Sequence, residues 1–574
     1  LSFLSHQSFV ISLSPLWLLP IPIEESVSRK LARDLSIAPF VAELLVRRGF
    51  ATAPEAACFL DPRLKALGDP FLLPDMERAV ERLLAAIDRR ERIVLYGDYD
   101  VDGVTSLALL TRVLRAFGAE PQCFLPLRMD EGYGLSADGA ARCVETHHPQ
   151  LLVAVDCGTS SATEIAALRA DGVDVIVIDH HEIKGALPDG VALVNPKRGA
   201  DFHYLCSVGL VFKVAHALLK RRPLAGFDLR EHLDLVALGT VADLVPLVAE
   251  NRILVKRGLE QLATTRWIGL RALMEVAVVR APLTPSDVGF KLGPRMNAAG
   301  RLGTAEEALE LLLTDDASRA RTIALDLDRQ NRERRAVEDD VFTQAETQLG
   351  EWFQPERDAA IVVGADGWHP GVVGIVASRL LRRHHRPALV IGFDECGVGK
   401  GSGRSIDGLS LVQALTHCGP LLEKYGGHEM AAGLTLRRER FVEFREAFRA
   451  CASQLLSAEQ LQPRLRLDAE LTLGDIHFEL LAQHGALQPF GMGNRQPTFF
   501  ARGVTLAAEP RVMKEKHLSL LLHQGGDEYR AVWFGSAAEV LPRLPWDVAF
   551  EIERNEYQGS VSAQIHIKAV RSAQ

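Results

Sequence analysis

Ile93-Val94-Leu95-Tyr96-Gly97-Asp98-Tyr99-Asp100-Val101-Asp102-Gly103 runs from an apolar segment straight into alternating aspartates. Similar short apolar runs recur at Leu151-Leu152-Val153-Ala154-Val155, Val173-Asp174-Val175-Ile176-Val177-Ile178 and Val191-Ala192-Leu193-Val194, with helix-period stretches such as 104–117 and 163–170 between them. Alternation of a buried strand with a crossover helix predicts a doubly wound α/β domain built on a parallel sheet. Ligands of such sheets bind outside the carboxyl ends of the strands. Three of the runs end there in acid: Asp98 and Asp100, then Asp156-Cys157-Gly158, then Asp179-His180-His181. Asp243, in Thr240-Val241-Ala242-Asp243-Leu244-Val245-Pro246, adds a fourth acid after a helical apolar stretch.

Carboxylates crowded at one end of a sheet repel one another unless cations sit among them. Acids mixed with imidazole suit Mn²⁺ or Mg²⁺ better than a thiolate-preferring metal. Asp98, Asp100, Asp156, His180 and Asp243 are therefore read as metal ligands. Asp102, directly before Gly103-Val104-Thr105, reads instead as a helix cap. Two further histidine pairs follow no strand. His147-His148 reads as a polar turn, and His384-His385 as cations at a helix C-terminus.

Outward from this segment the character of the chain changes several times. Its 574 residues exceed the roughly 250–300 at which a single core stops growing, so several folded units are expected. Residues 24–90 read as a helical N-terminal cap, 91–304 as the catalytic domain, and 305–350 as a helical connector free of Pro and Gly until Gly350. Residues 351–462 read as a smaller α/β domain, and 463–574, with short strands separated by turns, as a β barrel. Residues 1–23 are apolar, but prolines interrupt them and no basic stretch precedes them. They read as a disordered extension rather than a signal peptide. A net charge of −9 gives no global pull on a polyanion, so nucleic acid would have to be held by local cations. The eight cysteines are scattered singly, which fits a reducing, cytoplasmic setting. No apolar run approaches the ~20 residues of a membrane span.

The Asp-Tyr-Asp-x-Asp-Gly motif, the strand-end Asp156 and the triplet Asp179-His180-His181 resemble the DHH phosphoesterases. Gly293-Pro294-Arg295-Met296-Asn297-Ala298-Ala299-Gly300-Arg301, Gly401-Ser402-Gly403-Arg404-Ser405 and Gly426-Gly427-His428-Glu429-Met430-Ala431-Ala432-Gly433 narrow the likeness to the bacterial RecJ branch. That branch comprises single-strand-specific 5′→3′ DNA exonucleases of recombination and repair. The resemblance implies a DHH domain, a DHHA1-type domain at 351–462 and an OB-like barrel. It implies two Mn²⁺ or Mg²⁺ ions on Asp98, Asp100, Asp156, His180 and Asp243, Asp156 bridging them, a bridging water as nucleophile, and Asp179 and His181 as supporting or proton-handling groups. By the same resemblance Arg128, Asn297, Arg301, Ser402 and Arg404 hold the 5′ end and nearby phosphates, and Gly426, Gly427 and His428 line the facing surface. A single-stranded DNA-binding protein and a RecQ-type helicase are the implied partners. Position 96 is Tyr where some members carry a metal-binding His, so water or the phenol edge is expected to take that place. The rivals are a DHH enzyme for small substrates, such as dinucleotides or pyrophosphate, and a catalytically dead DNA-binding scaffold.

Overall fold

The computed structural model describes residues 15–126, 134–302, 304–557 and 560–573. The chain divides into two compact units. One comprises residues 54–332 together with 486–496, and the other comprises the N-terminal segment up to Ala53, 333–485 and 497–574.

The first unit is built on a five-stranded, wholly parallel sheet in the order Gln122–Phe124, Ile93–Gly97, Leu151–Val155, Asp174–Ile178, Ala192–Val194. Both faces are covered. Ile93, Leu95, Val153, Val155, Ile176 and Ile178 pack into the larger core, while Val94, Tyr96, Leu152, Ala154, Val175 and Val177 fill a second core on the opposite face. This is why the strands read as continuous apolar runs rather than as alternating ones. The chain runs from Ile93–Gly97 outward to Gln122–Phe124, then returns to add Leu151–Val155 on the other side, so the strand order reverses between the first and third strands. Such a reversal opens a crevice at the carboxyl ends of those two strands. The acids after Gly97 and after Val155 lie at that point.

Gly103 fixes how tightly the loop of aspartates closes: a Cβ there would sit 2.3 Å from the Asp98 carbonyl oxygen. Only glycine lets the helix Val101–Ala116 start so close to the strand it follows. That helix is buried along nearly its whole length and packs against helices Ser207–Arg221 and Leu233–Ala242.

In the second unit a mixed five-stranded sheet has the order Lys424–Gly427, Ala431–Arg437, Val398–Arg404, Ala388–Phe393, Ile361–Asp366. Ile361–Asp366 and Ala388–Phe393 are parallel, joined by helix Pro370–His384, and the remaining pairings are antiparallel. The C-terminal strands form a barrel. Phe499–Leu506, Trp546–Tyr557, Ser560–Ser572, Asp527–Trp533 and His517–Gln524 pair in sequence, and the last pairs back to the first. The connector is a short helix, Glu306–Leu313, followed by one of 36 residues, Ala317–Trp352.

One expectation is corrected. Within the expected disordered extension at residues 1–23, Leu16–Leu18 form a strand pairing in parallel with Arg464–Arg466. Trp17 packs against Leu467, Phe500, Ala549 and Ala569, with the Arg571 guanidinium 4.4 Å from the ring centroid. An apolar tripeptide has found a free strand edge and an apolar recess, and the flanking prolines Pro15 and Pro20 had hidden its strand character. Among the described residues no helix is long and apolar enough to cross a membrane.

Candidate metal centre

The acids of the crevice converge. Oxygens of Asp98, Asp100 and Asp156 lie within 4.8 Å of one another, and so do ligand atoms of Asp156, His180 and His181. His180 Nε2 stands 3.5 Å from Asp156 Oδ1 and 3.6 Å from Asp243 Oδ2. All five residues read as ligands are thus brought to one place from four separate segments. Asp100 also caps the helix that follows, its Oδ1 accepting the N–H of Asp102 at 2.8 Å and of Gly103 at 3.2 Å.

Asp156 holds a left-handed backbone, with φ +64°. Asp tolerates this left-handed conformation better than most residues, and strain of this kind gathers at functional sites. Its Oδ1 accepts the Ser207 hydroxyl at 2.8 Å. Asp179 turns away from the other acids. Its Oδ2 accepts the Thr159 N–H, and its Oδ1 accepts the His181 N–H and lies 2.7 Å from His181 Nδ1. Asp179 therefore orients His181, whose Nδ1 it holds.

The reading of Asp102 is corrected. The cap of its own helix is Asp100, whereas Asp102, fully buried, accepts the N–H groups of Ser207 at 2.7 Å and Val208 at 2.8 Å. It caps a different helix, Ser207–Arg221, more than 100 residues on, whose N-cap Cys206 offers no capping side chain. Its Oδ2 lies 3.9 Å from His180 Nε2, and its carboxylate clusters with Cys206 Sγ and Asp243. Asp102 thus joins the centre. Asp102, Ser207 and Thr159 are the members that sequence reading missed. The third aspartate of the alternating series was the available signal for Asp102, whereas nothing marked Ser207 or Thr159.

Electrostatics show what the cluster lacks. Burial, reinforced by the charges of the other aspartates, pushes Asp156 well above the carboxylate range, Asp102 to about 7 and Asp243 to about 9. Burial and the neighbouring His181 push His180 down to about 3, leaving a neutral imidazole. Burial opposes the charge on Asp179 more than any other single influence, but the bond to His181, the Thr159 N–H and the nearby imidazoles together outweigh it and hold Asp179 far below the usual range. Among the described residues, His180 Nε2 and Asp243 Oδ2 are buried without a hydrogen-bond partner. Neutral imidazole, mutually repelling carboxylates and orphaned buried acceptors are the donor set of a divalent cation site.

The sign of these shifts gives a prediction. A carboxyl whose folded pKa is raised contributes stability below its unfolded value of 3.8 and loses it as pH climbs through the folded value. The metal-free protein should lose stability from this cluster between about pH 4 and about pH 9, and the Tm gain from added Mn²⁺ should grow over the same window. Asp243→Asn should flatten the slope of metal-free Tm against pH; an unchanged slope would refute the assignment of the charge burden to this cluster.

Tyr96 is corrected too. Its phenol donates to the Gly134 carbonyl at 3.2 Å, its ring stacks on Phe124, and it is buried in the core of the opposite sheet face. It is a packing residue, not a substitute for a histidine ligand.

The expected phosphate-holding residues are distributed differently. Arg128 lies outside the described residues. Asn297, partly buried, and Arg301 lie on helix Gly293–Leu302, which backs onto the aspartate loop at Gly300, where a Cβ would be 3.1 Å from the Tyr99 carbonyl oxygen. Ser402, Arg404, Gly426, Gly427 and His428 belong to the other unit. There Arg404 Nη1 donates to Ser402 Oγ at 3.0 Å and to the Gly403 carbonyl at 2.8 Å. Both side chains lie against Gly374 in the second turn of helix Pro370–His384, where a Cβ would come 2.9 Å from Ser402 Oγ and 3.3 Å from Arg404 Nη2. Burial alone depresses Arg404, with no neighbouring carboxylate countering it. A half-buried guanidinium beside a hydroxyl is a pair of donors whose chemistry suits an anion. The strand register places Ser402 opposite Gly433, and Gly433 opposite Gly426, giving a row with little side-chain bulk next to that cation. Gly427, at φ +143°, passes Ala431 and Ala432 too closely for a Cβ, and the His428 N–H donates to the Ala431 carbonyl.

Residues 92–240 match the DHH family N-terminal domain, 358–454 the DHHA1 domain and 467–569 the RecJ OB domain. The chain is 37% identical to the single-stranded-DNA-specific exonuclease RecJ of Bacillus subtilis, over 96% of this chain and 70% of that protein. It is 38% identical to the protein of the same description from Dickeya dadantii, over 93% of this chain and 96% of that one. The chain belongs to the RecJ family. A solved RecJ from Thermus thermophilus in complex with Mn²⁺ superposes with a TM-score of 0.84 at 32% identity, covering 97% of this chain and 80% of that one. The expected architecture of parallel-sheet DHH domain, DHHA1 domain and OB barrel holds.

Proposed function

We propose that this RecJ-family chain is a Mn²⁺- or Mg²⁺-dependent 5′→3′ exonuclease that hydrolyses single-stranded DNA to 5′ mononucleotides. The observation that carries this reading is the convergence of carboxylates from three segments with the neutral His180, from a fourth, at the strand-order reversal. Asp98, Asp100, Asp156, His180 and Asp243 hold two ions, and Asp102, within the same cluster, completes the set. When bound, the ions would supply Lewis acidity that activates a water and offsets charge developing on the phosphoryl group.

The chain's own groups do the rest. Asp156, held at φ +64° and by the Ser207 hydroxyl, presents its carboxylate between the loop of aspartates and His180. Asp179 fixes the His181 ring, which holds or moves a proton at the scissile phosphate. Arg404 and Ser402 bind a backbone phosphate, with Arg128, Asn297 and Arg301 near the 5′ end, while Gly426, Gly427 and His428 let the strand lie close to the sheet. The partners are single-stranded DNA, a single-stranded DNA-binding protein and a RecQ-type helicase, in cytoplasmic recombination and repair. Domain limits of 24–90, 91–304, 305–350, 351–462 and 463–574 belong to the same reading.

The test compares a long 5′-phosphorylated DNA strand with a dinucleotide, each with Mn²⁺ and with a chelator. Hydrolysis of the strand only, abolished by the chelator and restored by Mn²⁺, is expected. Preferential hydrolysis of the dinucleotide would assign the chain to a small-substrate activity instead.

A further inference from the structure

Residues 486–496 belong to the catalytic unit, although the chain on both sides of them belongs to the other. This segment, Ala486-Leu487-Gln488-Pro489-Phe490-Gly491-Met492-Gly493-Asn494-Arg495-Gln496, lies across residues 246–248, which follow Asp243 by three to five positions. The Met492 carbonyl accepts the Leu247 N–H at 2.7 Å. A Cβ at Gly493, whose φ is +71°, would lie 3.0 Å from Pro246 Cβ and 3.0 Å from Val248 Cγ1, and one at Gly491 would lie 2.7 Å from Leu247 Cδ1. Two glycines thus let the strap lie flush on the loop.

The strap is closed on itself and clasped at one end. Asn494 donates through Nδ2 to the carbonyls of Leu487 and Pro489, closing the strap on itself. Arg252, almost wholly buried, donates to the carbonyls of Leu487 and Gln488 from Nη1 and Nη2 and to the Phe59 carbonyl from Nε, with its guanidinium 3.6 Å from the centroid of the Phe59 ring. Arg252 stands on helix Ala249–Leu262, directly after the loop. One residue before it, Asn251 donates to the Pro246 carbonyl at 3.0 Å and to the Tyr204 carbonyl, two residues before the Cys206-Ser207 turn that serves Asp102 and Asp156. Asp243 itself sits at the end of helix Leu233–Ala242 and is followed by Leu244 in the left-handed region at φ +62°. Such a turn needs support from outside itself to persist.

We infer that the strap 486–496, clasped by Arg252, is a positioning element for Asp243 and so sets the metal affinity of a centre whose ligands lie far from it in sequence. The inference rests on Asp243 being a metal ligand, as proposed above. Supporting contacts behind metal ligands typically alter affinity by about 10- to 100-fold.

The experiment measures Mn²⁺ binding to the full-length chain, by calorimetry or by the free-Mn²⁺ electron paramagnetic resonance signal, alongside Tm and circular dichroism. Gly493→Ala should weaken Mn²⁺ binding by about 10-fold or more. Gly491→Ala, whose added methyl meets only the flexible end of Leu247, should weaken it less while remaining folded. Met492→Ala, which keeps the carbonyl and removes an exposed side chain, should leave it unchanged. Wild-type Mn²⁺ affinity in every folded glycine variant, even with a lowered Tm, overturns the inference and makes the strap a merely structural clamp. Asp243→Ala separates the two claims: if it too binds Mn²⁺ normally, the ligand assignment fails; if it loses Mn²⁺ while the folded glycine variants do not, only the positioning role fails.

Discussion

Asp156→Asn should abolish DNA hydrolysis, with a loss in kcat on the order of 10⁴-fold, as when one member of a catalytic unit is removed, and leave a folded protein. Asn keeps the tolerance for φ +64° and can still accept the Ser207 hydroxyl, so the backbone at the strand end should not move. It removes, however, a carboxylate facing Asp98, Asp100 and His180. Because that carboxylate is buried and repelled by its neighbours, the metal-free variant should be no less stable than the wild type, and its Tm should gain little from Mn²⁺. Asp156→Ala should lose activity equally, with an added backbone cost from placing Ala in the left-handed region. Substantial metal-dependent activity in either folded variant would remove Asp156 from the reaction.

Asp102→Asn is the second large effect. An ordinary N-cap substitution costs about 1 kcal/mol and leaves chemistry alone. Here the amide replaces one of two carboxylate oxygens that receive buried N–H groups of Ser207 and Val208, so one donor loses its partner at a cost of about 1–3 kcal/mol. Ser207 also donates to Asp156, and Asp102 lies 3.9 Å from His180, so activity should fall by about 10- to 100-fold or more. A lowered Tm with wild-type kcat would return Asp102 to a purely structural role.

Much of the catalytic fold was open to sequence reading, for a physical reason. Strands buried on both faces need apolar residues at every position, so 93–97, 151–155 and 174–178 stood out, and the acids at their ends followed from the sheet's topology. The strands Val398–Arg404 and Ala431–Arg437 carried no such signal. Their glycines at 399, 401 and 403 make room for neighbouring side chains, and these and Gly433 supply no apolar bulk, which concealed the mixed, largely antiparallel sheet. Asp102 was misread because a cap is identified by the helix next to it in sequence. The helix it serves begins more than 100 residues later. The strap over Leu247 and the strand at Leu16–Leu18 were hidden likewise, since pairings between distant segments leave no local periodicity. Tyr96 shows the converse: a position inviting comparison with a ligand proved to be a core residue once its hydroxyl was seen on Gly134.

The most direct test of the account is Mn²⁺-dependent digestion of single-stranded DNA labelled at one end or the other, with a duplex control. Immediate release of labelled mononucleotide from the 5′-labelled strand is predicted, with progressive shortening of the 3′-labelled one and an untouched duplex. Binding without cleavage, or release beginning at the 3′ end, would contradict it.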